Sequence, residues 1–203
     1  IGTCLVGSEM CIRDRPEVNL GLLPGAGGTQ RLPRVIGVAE ALNMIVTGKP
    51  ITASRGAENG LVDKLVDDAD LEAEAIAFAK SVAGSADLPR TSERTEKLKE
   101  AAADPSVFSN FLEKNGRKIR GYEAPIACIE AVKAAVNLPI EEGLKKEREL
   151  FMKLVSGTQS AALRHAFFAE RAASKIDDIP KDTPLIDIKT VSYTHLRAHE
   201  TGS

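Results

Sequence analysis

Pro16-Glu-Val-Asn-Leu-Gly-Leu-Leu-Pro-Gly-Ala-Gly-Gly-Thr-Gln-Arg-Leu-Pro-Arg-Val-Ile-Gly37 is the stretch on which the reading of this chain turns. Four of its sixteen glycines fall between Gly21 and Gly28. Glycine at that density marks a backbone that turns tightly or approaches another group closely. The stretch is not a P-loop, because no Gly-Lys-Ser/Thr follows. It is not a dinucleotide fingerprint either, because the window from Gly25 ends in Gln30 where a third glycine is required. On spacing alone the loop is either a plain turn or a cradle of backbone N–H groups at the start of a helix, where a water or anion sits well. On spacing alone Glu17 is either a surface carboxylate or one held beside that loop.

Downstream the chain reads as helices. Thr29 to Ile36 turns helical, with Pro33 keeping the helix short or kinked. Val38, Ala41, Leu42 and Ile45 repeat at helical spacing up to Thr47, and Gly48 ends that helix. Ser54 to Asn59 predicts one helical turn ending at Gly60, and Leu61 to Val66 alternates like a short strand. Asp70 is placed to cap a helix with Leu71, Ala75, Phe78, Ala79 and Val82 on one face. The polar, mixed-sign stretch 86–104 reads as a solvated connector. Beyond it, Pro105 opens a helix through Phe108, Phe111 and Leu112, and Ala124 to Val136 forms another. Pro139 opens a long one, with Ile140, Leu144, Phe151 and Leu154 facing one way. Thr158 to Ala173 is the last, with Ala162, Ala166, Phe167 and Ala173 inward. Ile186 to Val191 begins to alternate like a strand.

The tips differ from the middle. Two of the three cysteines, Cys4 and Cys11, lie in the first eleven residues, and His195 and His199 lie near the end. Ser8-Glu-Met-Cys-Ile-Arg-Asp-Arg15 and Val191-Ser-Tyr-Thr-His-Leu-Arg-Ala-His-Glu-Thr201 resemble translated sequencing-adapter DNA. The expectation is that 1–15 and 192–203 are not native.

Composition excludes several classes. Lys+Arg 27 against Asp+Glu 29 gives a net charge of −2, which leaves no broad basic face for nucleic acid. No apolar run reaches the roughly 20 residues a membrane helix needs. Three cysteines without a CxxC pair make neither a disulfide framework nor a zinc site, and no metal site is expected. A reducing, cytoplasmic location is the expectation.

The quoted motif from Pro16 to Gly37 resembles the second signature of the crotonase, or enoyl-CoA hydratase/isomerase, family. Phe167-Phe-Ala-Glu-Arg-Ala-Ala-Ser-Lys175 resembles one branch, in which a hydratase half is fused to a 3-hydroxyacyl-CoA dehydrogenase half. Ile186 to Val191 resembles the strand that opens the NAD-binding domain of that branch. The resemblance covers about Pro16 to Val191. It implies an α/β fold: the C-terminal part of a crotonase-type ββα spiral, mostly helical with few short strands. The implied division is crotonase core over 16–85, connector over 86–104, a helical region over 105–178, and the start of a dehydrogenase domain over 179–191.

The resemblance also implies roles. Glu17 matches the catalytic glutamate that exchanges the proton alpha to the thioester of a trans-2-enoyl-CoA. Gly25 matches the glycine whose N–H helps position the reacting water. Phe151 sits where related hydratases place an aromatic near the CoA adenine; on periodicity alone it is a core residue. The chemistry needs these parts, because the alpha proton is weakly acidic and the enolate-like oxygen requires donors. The partner glutamate and both oxyanion segments belong upstream of Glu17, outside this sequence, so the chain alone is expected to be inactive. Acyl-CoA is the implied substrate, with no cofactor in this stretch and NAD only for the dehydrogenase half. Three classes stay open: the bifunctional β-oxidation enzyme, a stand-alone isomerase needing only Glu17, and a non-catalytic acyl-CoA-binding fragment. Oligomeric state is not legible.

Overall fold

The computed structural model describes residues 16–85 and 89–173. A 3₁₀ turn, Pro16–Leu20, leads into nine α-helices among the described residues. They are α1 (Gly28–Ile36), α2 (Val38–Thr47), α3 (Ala53–Asn59), α4 (Leu71–Val82), α5 (Glu96–Ala103), α6 (Ser106–Ile119), α7 (Glu123–Asn137), α8 (Ile140–Val155) and α9 (Thr158–Ala173). The strand at Ile186 and both adapter-like tips lie outside the described residues.

Helix α2 is the centre of the fold. Val38, Ala41, Leu42 and Ile45 form its predicted stripe and are buried, and Met44 and Val46 are buried beside them. A helix apolar on so much of its circumference must be surrounded. It packs on α1 and α7, with α6 against its side. Helix α7 permits the approach because Ala124, Ala127, Cys128, Ala131 and Ala135 present a buried face of small side chains. Helix α8 lies across α7 and α1, and α9 sits on the 3₁₀ turn and on α8. Gly48 (φ 64°) and Gly60 (φ 83°) end α2 and α3 in the left-handed conformation, as expected of C-terminal glycines.

Four expectations need correction. No strand occurs at Leu61–Val66: the Leu61 and Val62 N–H groups both donate to the Gly56 carbonyl, at 2.8 and 3.1 Å, finishing α3 instead. No neighbouring strand is present there among the described residues, and an unpaired strand leaves its backbone groups unsatisfied. The stretch 86–104 is not wholly a solvated connector. Helix α5 within it buries Leu98 and Ala101 against α1 and α7. Lys97 Nζ also donates to the Val35 carbonyl (2.6 Å) and the Asn59 carbonyl (3.0 Å), tying α5 to the ends of α1 and α3. The buried line of α8 is Gly143, Glu147, Leu150 and Leu154, so Leu144 is exposed. On α9 only Ser160 is buried; Ala162, Ala166 and Ala173 are exposed and Phe167 is half-buried. Helix α4 likewise buries nothing. Its apolar stripe is only partly covered: Ala75, Phe78 and Val82 are half-buried, and Leu71 and Ala79 are exposed.

Candidate active site

Glu17 sits in the 3₁₀ turn. The Gly21 N–H donates to the Val18 carbonyl (3.1 Å) and the Leu22 N–H to the Glu17 carbonyl (2.9 Å), which curls the chain back on itself. Val18 and Leu23 anchor the two sides in the core. The Glu17 side chain is half-buried, and its Oε2 is enclosed with no hydrogen-bond partner among the described residues. A buried carboxylate oxygen without a donor is costly, and such groups in native folds call for a functional account.

The glycine loop is clamped from the far end of the chain. A Cβ on Gly21 (φ 69°) would lie 2.8 Å from Ser160 Cα on α9, and Ser160 Oγ donates to the Leu20 carbonyl at 2.9 Å. A Cβ on Gly25 would lie 2.5 Å from Cδ2 of the Phe151 ring. The structure therefore brings together two of the residues singled out from the sequence, Gly25 and Phe151. Gly25 itself is exposed, while Phe151 is half-buried against the core.

Four residues before Phe151, and so on the same side of α8, is Glu147. Its carboxylate accepts from the Gly27 N–H (2.6 Å), the Thr29 N–H (3.0 Å) and the Thr29 hydroxyl (2.5 Å). Helix α1 has no side-chain cap of its own, so a carboxylate from 120 residues away satisfies its first N–H groups and its dipole. Gln30 Nε2 donates to Thr29 Oγ1 (3.0 Å) and to the Ala131 carbonyl (2.8 Å). Gly143 makes room for Gln30, since a Cβ there would lie 2.1 Å from Gln30 Oε1. Arg31 Nη2 donates to the Ala26 carbonyl and Arg34 Nη1 to the Gln30 carbonyl, both at 2.6 Å, so Arg31 ties α1 to the loop and Arg34 braces α1 internally.

Sequence reasoning missed Glu147, Ser160 and Gly143. A signal for Glu147 exists: it falls between Gly143 and Leu150 on a stripe that ends at Leu154. A carboxylate at a core position of a helix requires a buried donor.

Cys128 lies under this site on α7 and is fully buried. Burial, with the negative charges of Glu17 and Glu147, pushes its thiol up to about 12. The thiol is therefore inert, as a small core hydrophobe is expected to be. In a background where Cys4 and Cys11 are serine, a thiol reagent should modify Cys128 only as fast as the chain unfolds. The unfolded thiol ionises near 9 and the folded one near 12, so its contribution to stability is intact below pH 9 and is lost as pH rises toward 12. Denaturant titration of the parent and of Cys128→Ala checks this; the alanine variant should show a shallower alkaline decline.

The remaining candidates are surface groups. Lys145 is exposed, Lys146 Nζ pairs with Glu130 at 3.0 Å, and His165 is exposed on α9. Among the described residues no helix is long and apolar enough to cross a membrane.

The sequence pattern of the enoyl-CoA hydratase/isomerase family matches residues 8–115. The chain is 46% identical over 162 residues to a human protein named peroxisomal bifunctional enzyme, covering 79% of this chain and 22% of that one. It is 44% identical over 160 residues to the peroxisomal bifunctional enzyme of Cavia porcellus, with the same coverage. It is 41% identical over 163 residues to the fatty acid oxidation complex subunit alpha of Shewanella loihica, covering 79% of this chain and 23% of that one. The chain thus spans less than a quarter of the length of the curated relatives it matches. The matched span takes in Glu17, the whole glycine loop, and helices α1 to α5. The chain belongs to the enoyl-CoA hydratase/isomerase family, and its helices form a helical C-terminal part of a domain of that family.

Proposed function

We propose that this chain is the trailing part of the hydratase half of a bifunctional β-oxidation enzyme. The parent hydrates trans-2-enoyl-CoA to 3-hydroxyacyl-CoA and carries a 3-hydroxyacyl-CoA dehydrogenase half. The names of the relatives and their greater length support this reading. Glu17 is the carboxylate that transfers the alpha proton. The observation that carries the assignment is its enclosed, unpartnered Oε2 beside the glycine loop. An oxygen left without a protein donor is free to meet a substrate proton or a water. Gly25 contributes its N–H to the reacting water. Phe151 holds Gly25 in place and offers its remaining ring surface to the CoA adenine.

NAD belongs to the dehydrogenase half. Among the described residues the one glycine-rich loop does not suit it: it lacks the third glycine, and Phe151 and Glu147 already pack against it. The proposed dehydrogenase segment, 179–191, lies outside the described residues. A cytoplasmic compartment belongs to this reading on the ground of an odd, sparse set of cysteines without a CxxC pair. The peroxisomal names describe the relatives that bear them, and imaging the tagged full-length gene product decides between the two.

The experiment is hydration of crotonyl-CoA by this chain and by the full-length gene product. The chain alone should show no turnover, because removal of a single oxyanion donor already lowers a rate by about 10²–10³-fold. The full-length product should turn over and should lose activity on Glu17→Gln. Turnover by the 203-residue chain that is abolished by Glu17→Gln overturns the inactive-alone reading and favours the isomerase-like alternative, in which Glu17 suffices.

A further inference from the structure

We propose that Glu147 is a positioning residue for the hydration reaction: through Gly27 and Thr29 it holds the glycine loop in the one shape that sets the Gly25 N–H against the substrate shared with Glu17. The proposal rests on the function given above and extends it to a residue 130 positions from Glu17.

Three observations converge. First, Glu147 is almost wholly buried, at 1% exposure, yet a carboxylate is retained there. Burying a charge is unfavourable unless it is fully hydrogen-bonded. Here two backbone N–H groups and one hydroxyl meet it, all from the loop and the first turn of α1. Second, the donors are oriented. Gln30 Nε2 donates to Thr29 Oγ1, so the hydroxyl's own proton is directed at Glu147. Gly143 leaves the space that keeps Gln30 in that position. Third, Gly27 stands at φ 82°, a left-handed conformation open to glycine without strain, and in it the Gly27 N–H reaches Glu147 at 2.6 Å. One turn along α8, Phe151 braces Gly25. A single helix thus fixes both residues that flank Ala26.

The consequence is geometric. If the carboxylate is lost, the Gly27 and Thr29 N–H groups lose their acceptor and the loop relaxes toward another one. The Gly25 N–H moves with it. A displacement near 1 Å in a reacting geometry is worth on the order of 10²-fold in rate.

The test uses the full-length gene product with crotonyl-CoA. Glu147→Gln keeps volume but presents an amide donor to groups that are themselves donors. Expected, per folded active site, is a fall in kcat on the order of 10²-fold with KM changed less than about threefold. Thr29→Val removes one of the three hydrogen bonds and should lower kcat by on the order of threefold to tenfold. If Glu147→Gln does not fold, Thr29→Val decides the matter by the same split. A residue that only supports stability would lower the yield of folded enzyme and leave kcat per site unchanged; that outcome in either variant overturns the proposal. Glu17→Gln is run alongside. If it retains full activity, the functional reading fails and the positioning role with it. If it is inactive while the Glu147 and Thr29 variants turn over normally, only the positioning role is lost.

Discussion

Glu17→Gln in the full-length enzyme should lower kcat for crotonyl-CoA hydration by about 10²–10⁴-fold, the range that a positioned general acid or base supplies. In barrier terms that is roughly 3–5 kcal/mol. The amide has the shape of the carboxylate but takes no proton at the pH of the assay, so KM should change little. The structure adds a second expectation. Glu17 Oε2 is enclosed without a partner, so the folded protein gains little from its charge. Glu17→Gln should therefore be neutral or mildly stabilising in thermal unfolding, the usual mark of a site where activity was kept at the expense of stability. A third readout needs no turnover. Glu17 is one of the charges holding the Cys128 thiol up, so the variant should bring that thiol down from about 12, while burial and Glu147 still keep it above the ordinary thiol value. A variant that loses activity and is also strongly destabilised would point to a structural carboxylate instead.

Gly21→Ala should be the most damaging single methyl group in the loop. The position has φ 69°, where a side chain is strained by about 1–3 kcal/mol. The added Cβ would also lie 2.8 Å from Ser160 Cα and 3.1 Å from Leu163 Cδ1. The first of these is backbone, which cannot swing aside, and overpacking of this kind typically costs a further 1–3 kcal/mol. A loss of about 4 kcal/mol, or a fall in Tm on the order of 10 °C, is expected in this chain. Gly21→Asn separates the two causes. Asparagine tolerates the left-handed conformation but carries the same Cβ. If contact with α9 dominates, Asn is no better than Ala; if backbone strain dominates, Asn recovers much of the loss.

What was legible in the sequence was what local spacing determines. The stripe Val38, Ala41, Leu42, Ile45 became the buried core of α2 because four apolar positions on one face must be covered, and here α7 covers them. Gly48 and Gly60 end their helices through a conformation that glycine alone adopts freely. Glu17, Gly25 and Phe151 were singled out through the family resemblance, the helical spacing of Phe151 alone naming only a core residue. What was not legible depends on partners distant in the chain. Glu147 accepts from donors 118 and 120 residues away, and no window of sequence contains both ends. The stripe on α9 has helical period, yet Ala162 and Ala166 face solvent, because periodicity names a face without naming what covers it. Leu61–Val66 alternates, but a strand needs a neighbour, and the Gly56 carbonyl was closer. Leu98 and Ala101 were hidden in a run whose polar majority describes only the outer side of α5.

The seat of α9 on the Glu17 turn has a consequence for biosynthesis. Ser160 grips the Leu20 carbonyl from 140 residues downstream. At about 5–20 residues per second, the ribosome adds Glu17 roughly seven to thirty seconds before its clamp exists. During that interval the turn can form, but nothing fixes it. Closure must wait for a contact of long sequence separation, the slow kind. A nascent chain arrested before Thr158 would thus carry Glu17 on an unsecured turn of backbone, and the turn would be fixed only as α9 emerges from the exit tunnel.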